Sequence, residues 1–436
     1  MLLHLGQHDP EAGTPNLKDS GYLRFSGSDF ILINSQVSSF DIFFEPNNNL
    51  RILNSVLMGH KFINLRSKDL FALSESTILT AAEVSVSGYK EVAPNFFETS
   101  KNLVRTDAGI DFLQMVDKYT PSVLIQKNSF FVAARVATLI NSSVNSALVH
   151  VVADEMTVSG SNVKAWFQIQ SEELQTLSYF EDVCGENGGN NFNLGGLALP
   201  KEFSRDSDAD SLPDEDKDRI KMCKFKSIAS ESFQSTSGFL DLIKTGSIGT
   251  LSKKVPESIG TAGVISFVSN SIFVSADSIL AAQVTNRFSK PFYGSPSGGS
   301  AIFITPNFDF HGRLSVEGVD STVFYNGAGA GGNVLVFNPL WVQKQTRDEP
   351  QKNIKWKVLM SGGKRPDADV KGFKGKYFQA ENGMVYSSFC PSGSSSVFCF
   401  TCPLGERPPN PRPEERVLPK LGLRALSGPE LPPFLH

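Results

Sequence analysis

Three of the chain's five cysteines, Cys390, Cys399 and Cys402, fall within the stretch CPSGSSSVFCFTC. Thiols gathered this closely can bridge, exchange electrons as a Cys-x-x-Cys pair, or ligate zinc. The redox chemistry belongs in βαβ surroundings, whereas the flanks here are Pro, Gly and Ser. Zinc needs a fourth ligand, and no His lies between Tyr325 and Leu435. Structural disulfides are therefore the expectation for this cluster. The remaining two, Cys184 and Cys223, border one insertion in the chain. Either they pair and close that loop, stabilising it by about 3–4 kcal/mol, or they are two buried free thiols.

That insertion carries SRDSDADSLPDEDKDR, in which Asp206, Asp208, Asp210, Asp214, Asp216 and Asp218 recur at every second position with one gap. Alternating carboxylates on an extended loop can converge on a hard cation needing about six to eight oxygens, so a calcium site would draw on Asp206, Asp208, Asp210 and Asp214. The pattern resembles the loops of thrombospondin type 3 repeats, but Ser211 stands where such loops carry Gly, and there is one copy. A solvated acidic loop with no cofactor is the expectation.

Catalytic chemistry finds little to use. The six histidines are His4, His8, His60, His150, His311 and His436, and neither a Gly-x-Ser-x-Gly elbow nor a His-Glu-x-x-His run occurs. Asp154, Glu155 and Asp277 lie on or beside strand-like phrases, and paired acids on an outer face would suit a polysaccharide-cleaving enzyme. Asp154 and Glu155 are adjacent, however, and would point to opposite sides of a strand. A non-catalytic protein is expected, with no catalytic residues and a carbohydrate-active enzyme as the alternative.

The elements that must position these residues are short strands. FSGSDFILINSQV, SALVHVVADEMTVSGSNV, NSIFVSADSILAAQV and GGSAIFITPNFDFHGRLSVEG alternate Val, Ile, Leu or Phe with small residues and break at Gly, Ser or Asn. Such period-two alternation predicts strands. Self-similar phrases separated by irregular insertions predict a stacked solenoid, each coil burying its inward face on the next. A β-sandwich is the alternative. SEELQTLSYFEDVC predicts a helix, and GIDFLQMVDKY a second. Two phrases 33 residues apart, Gly298-Gly299-Ser300-Ala-Ile-Phe-Ile and Gly331-Gly332-Asn333-Val-Leu-Val-Phe, repeat one pattern. Their glycines predict coil corners with positive φ and close backbone approach. Ile302, Ile304, Val334 and Val336, or their immediate neighbours, are expected to point inward. No phosphate loop is present.

These glycine phrases, followed by Cys390-Pro391-Ser-Gly393 and Cys399-Phe-Thr-Cys402-Pro403-Leu-Gly405, resemble the large Gly-rich β-helix surface proteins of plants and protists that carry ephrin-receptor-like cysteine-rich modules. The resemblance implies an all-β chain: a right-handed parallel β-helix over 21–340 with an inserted helical and acidic segment around 171–225. An arm (1–20) would precede it. A linker (341–370), a partial disulfide-stapled module (371–405) and a disordered Pro/Arg/Glu-rich tail (406–436) would follow. It also implies a rigid spacer or adhesive platform, extracellular or in the secretory pathway, whose partner is a protein or carbohydrate. One local disulfide and one free thiol among Cys390, Cys399 and Cys402 are expected. The module breaks off after Gly405, which points to a piece of a longer, membrane-anchored protein or to a truncated gene model.

The bulk composition agrees with a folded core. Hydrophobic residues make up 40% and Phe alone numbers 34, far above Tyr and Trp. The net charge of −4, from 41 Lys and Arg against 45 Asp and Glu, gives no footprint for nucleic acid or an anionic membrane. No apolar run reaches the ~20 residues of a membrane helix, and no signal peptide is expected at the acidic start.

Overall fold

The computed structural model describes residues 2–7, 21–80, 129–170, 258–284, 294–305, 307–323, 325–337, 357–366, 380, 383–387 and 399–401, with isolated positions at 188, 189, 191, 195, 196, 198, 246 and 249. Every regular element among them is a β-strand. The two expected helices, the tail after 405, Cys184, Cys223, Cys390, Cys402 and the four aspartates Asp206, Asp208, Asp210 and Asp214 lie outside the described residues.

Parallel pairing winds the chain into a three-sided solenoid, and each side can be followed by one ladder of inward-facing residues. The first sheet stacks Leu23, Ile42, Ile63, Phe130, Val149, Ile265, Ala301 and Val334. The second stacks Leu32, Ile52, Leu73, Leu139, Val158, Val274 and Phe310. The third stacks Val37, Leu57, Ile78, Val144, Val163, Leu280, Leu314 and Val358. All three ladders meet in one continuous apolar core. Alternation explains this: every second residue of each strand points inward, and one coil cannot bury that face without the next. Phenylalanine fills the interior in clusters, such as Phe25, Phe30 and Phe44, or Phe303, Phe308 and Phe310 with ring centroids 5.1–5.9 Å apart.

The glycine phrases are in register as their alignment predicts, Ser300 against Asn333 and Phe303 against Val336. The inward residues are therefore Ala301 and Phe303 with Val334 and Val336. Ile302 and Ile304 are buried too, but on the opposite surface of the sheet. Strict alternation allows only one of the two parities, and the aligned valines fix which.

Coil stacking does not stop near residue 340. Lys357–Leu359 pairs in parallel with Arg313–Ser315, and Met384–Ser387 with the strand Asn333–Phe337. Cys399–Thr401 then lies antiparallel on Met384–Ser387, so part of the expected linker and module joins the sheets. At the other end Leu2–Gln7 runs antiparallel to Gly21–Gly27, making the arm an edge strand.

The corner between the second and third sheets repeats in every early coil. Asn34, Asn54, Glu75 and Asn141 take φ of 47°, 44°, 49° and 47°, and Gly160 takes 60°. One left-handed residue turns the chain, a conformation that Gly and Asn adopt most readily. A serine follows each of them. The backbone N–H of Ser35 donates to the Ser55 hydroxyl, Ser55 to Ser76, Ser76 to Ser142 and Ser142 to Ser161, at 3.0–3.2 Å. Each hydroxyl donates in turn to the carbonyl two residues before it. Sequence steps along this ladder are 20, 21, 66 and 19 residues, so one coil is about 20 residues and the 66 contains an insertion.

Candidate functional site

Insertions leave mainly from one corner, where the third sheet hands over to the next first-sheet strand, as between Thr80 and Ser129 or between Ala281 and Ser300. Gly298, Gly299, Gly331 and Gly332 lie here. None of them sits in the left-handed region, which among described glycines is occupied by Gly160 and Gly249, so the expected positive-φ corners are not what these glycines provide. Close approach is. A methyl group on Gly298 would collide with the Val316 carbonyl, on Gly299 with that of Gly263, on Gly331 with that of Met360, and on Gly332 with that of Gly299.

The reason is the way segment 327–332 bonds. Gly329 donates to the Val319 carbonyl (3.0 Å) and Gly332 to that of Val316 (2.7 Å). Gly327 and Ala330 accept from Ser295 and Gly298 (both 2.9 Å). Ala330 donates to Gly189, Ala328 accepts from Gly196, and Gly329 accepts from Gly363. A strand in a sheet bonds two neighbours, whereas this segment bonds several around its axis. Partners recur every third residue, the mark of extended chains with three residues per turn, as in polyproline II packing. Such chains approach closely only where side chains are missing, so glycine here is a packing residue. Asn191 is built into the same bundle, its side-chain amide donating to the Gly298 and Gly299 carbonyls. Asn333 donates to the Asn191 carbonyl.

The outward surfaces of the sheets differ. On the first sheet the outward row Asn64, Phe131, His150, Ser266 and Ile302 is as buried as the core. Arg66 lies over the Phe131 ring at 5.2 Å and donates to Asn64 Oδ1. Burial pushes its guanidinium down to about 10, partly offset by Glu45. His150 stacks on Phe131, and burial pushes its imidazole down to about 3. Its Nε2 and the neighbouring Ser266 hydroxyl have no hydrogen-bond partner among the described residues.

The second sheet instead faces water. Its outward row runs Ile31, Arg51, Ala72, Thr138, Thr157, Phe273 and Asp309. Ile31 and Ile33 are each 53% exposed, Ile140 40% and Phe273 38%. His311 pairs its Nε2 with Asp309 Oδ1 at 2.7 Å on this side.

The acids considered for catalysis are not brought together. Asp154 Oδ1 accepts from the Asn270 side chain (2.7 Å) at the corner between first and second sheets. Glu155 stands exposed at the start of the second sheet. Asp277 closes the second-to-third corner, its carboxylate accepting from the Ser275 hydroxyl and the Gly160 N–H. The Ser275 hydroxyl, then the Asp277 and Gly160 amides, hold that carboxyl below its ordinary range. Asp154 and Asp277 are each held by their own hydrogen-bond donors at different corners, and Glu155 stands apart from both. Among the described residues no group of three or more His, Cys, Asp or Glu is placed to hold a metal, and no helix is long and apolar enough to cross a membrane.

Sequence reasoning overlooked the Asn-Ser corner ladder, whose signal was present: Ile33-Asn34-Ser35, Leu53-Asn54-Ser55, Ser74-Glu75-Ser76, Ile140-Asn141-Ser142 and Ser159-Gly160-Ser161. The parallel all-β architecture stands on the register alone, because the chain matches no family model, no curated protein and no solved structure.

Proposed function

We propose that this chain is a non-catalytic segment of a surface protein, extracellular or in the secretory pathway, that acts as a rigid spacer with one adhesive side. In this reading the solenoid is a right-handed β-helix. The cysteines at 390–402 open a disulfide-stapled module like that of the ephrin-receptor-like proteins, and the longer protein is membrane-anchored. The observation that carries the reading is the asymmetry of the sheets. The second sheet leaves Ile31, Ile33, Ile140 and Phe273 exposed among Thr, Arg and Asp, while the outward row of the first is buried from Asn64 to Ile302. Exposed apolar residues in a polar frame are what a contact surface presents, and ladders of backbone bonds make the support stiff.

The test is adhesion of beads carrying the full chain to polysaccharide-coated and protein-coated surfaces. Substituting Ile31→Ser, Ile33→Ser and Phe273→Ser together should lower retention on one of them about tenfold, the scale of losing about 1.4 kcal/mol of binding, with unchanged melting temperature. Equal retention of the variant on both surfaces removes the adhesive role.

A further inference from the structure

We propose that Asn141 is the attachment point of an N-linked oligosaccharide, a role that rests on the secretory reading above. Asn141-Ser142-Ser143 is the one Asn-x-Ser/Thr sequence in the chain, with x not proline. Asn34 and Asn54 hold the same corner position but are followed by Ser-Gln and Ser-Val, so the corner ladder supplies three asparagines and one acceptor.

The fold presents this acceptor well. Asn141 is the exposed left-handed residue at the edge joining the second and third sheets, and its main-chain N–H is satisfied by the Ser159 carbonyl at 2.8 Å. Ser142 turns inward and fixes the corner through Ser76 and Ile140. Ser143 then faces outward on the third sheet, opposite in parity to the buried Val144. The next coil carries Gly160 at this position, and a methyl there would strike Asn141 Oδ1. Gly160 therefore clears the space in which the Asn141 amide lies. A glycan on that amide projects from an edge, where it burdens neither the core nor the inter-coil bonds.

The chemistry is a group transfer from a lipid-pyrophosphate-linked oligosaccharide. The Asn141 Nδ2 forms a bond to the first sugar's C1, the bond from C1 to the pyrophosphate oxygen breaks with its electron pair leaving on the released lipid pyrophosphate, and one amide proton passes to solvent. Nothing is oxidised or reduced.

The experiment uses the full chain behind a supplied secretory leader in eukaryotic cells, so that lumenal entry is imposed and the acceptor is judged separately from natural location. Protease-protected protein should show one mobility step that an N-glycan amidase reverses, with Asp appearing at 141 in the mapped peptide. Ser143→Ala should abolish the step and Ser143→Thr should retain it. Because transfer is scored on the lumenal chain whether or not a variant folds, instability does not mask the result. Lumenal protein with unmodified Asn141, or a step that survives Ser143→Ala, overturns the assignment. Location of the chain expressed without the added leader tests the secretory reading by itself.

Discussion

The backbone N–H of Ser55 donates to the hydroxyl of Ser76 on the next coil at 3.0 Å, and that hydroxyl donates to the carbonyl of Ser74 at 2.7 Å. One side chain thus serves two groups of a corner that the sheet ladders cannot reach. Both serines are buried, so water is a poor substitute. Ser76→Ala should cost about 1–3 kcal/mol, the price of leaving a buried donor unmade. Urea denaturation checks this. Gln36→Ala, exposed on the end coil, should change stability by less than about 0.5 kcal/mol.

Glycine at 332 is judged by the neighbour it would strike. A methyl there meets the Gly299 carbonyl and the Gly298 backbone, atoms bonded into the bundle and unable to rotate away. At Gly27 the nearest atom is the Phe25 ring edge at 3.1 Å, a side chain that has to give by only a few tenths of an ångström. Gly332→Ala should therefore lose more than about 3 kcal/mol and Gly27→Ala about 1 kcal/mol or less. Equal losses would show that backbone crowding is not the constraint.

Acid should weaken the fold through His150. Burial holds its folded pKa at about 3, against 6.5 unfolded. Between those values the unfolded chain binds a proton that the folded chain refuses, so stability is intact above pH 6.5 and falls as pH drops toward 3. The slope from this one group is about 1.4 kcal/mol per pH unit at most. His150→Phe, stacked on Phe131, should flatten the pH dependence by one proton whatever its effect on absolute stability. An unchanged slope would place His150 in contact with water.

Strand character and the Ser300–Asn333 register were legible because alternation and a repeated phrase are local properties. The coil length was not. The step from Ser76 to Ser142 spans 66 residues against 20 and 21 for its predecessors, and an insertion of that size hides a short period. Gly298 and Gly332 were recognised as special, yet turn and close packing demand the same residue, and only the bonding directions separate them. Hydrophobicity marks Ile302 for burial without telling which way it points, because at this coil both surfaces of the first sheet are buried. The exposed apolar residues left the weakest trace: Ile31 and Phe273 stand at outward positions of the second sheet, where hydrophobicity alone assigns them to the core.

The corner ladder also contains one misfit. Asn34, Asn54, Asn141 and Gly160 suit the left-handed conformation, while Glu75 holds φ of 49° in the same row. A residue with an ordinary Cβ costs about 1–2 kcal/mol there. Asn relieves part of this through local hydrogen bonding, and Glu, one methylene longer, reaches its own backbone less well. Glu75 is exposed, and the bond that matters at the position, from its N–H to the Ile140 carbonyl at 3.0 Å, is made by the main chain. Glu75→Asn should therefore keep every inter-coil bond and raise stability by about 0.5–1 kcal/mol, in the range of other backbone-compatible replacements. Glu75→Val, β-branched and unable to adopt the turn without strain, should lower it. Thermal melts of the two variants beside the parent decide the matter: if Asn and Val move stability in the same direction, the left-handed corner is not what selects the residue.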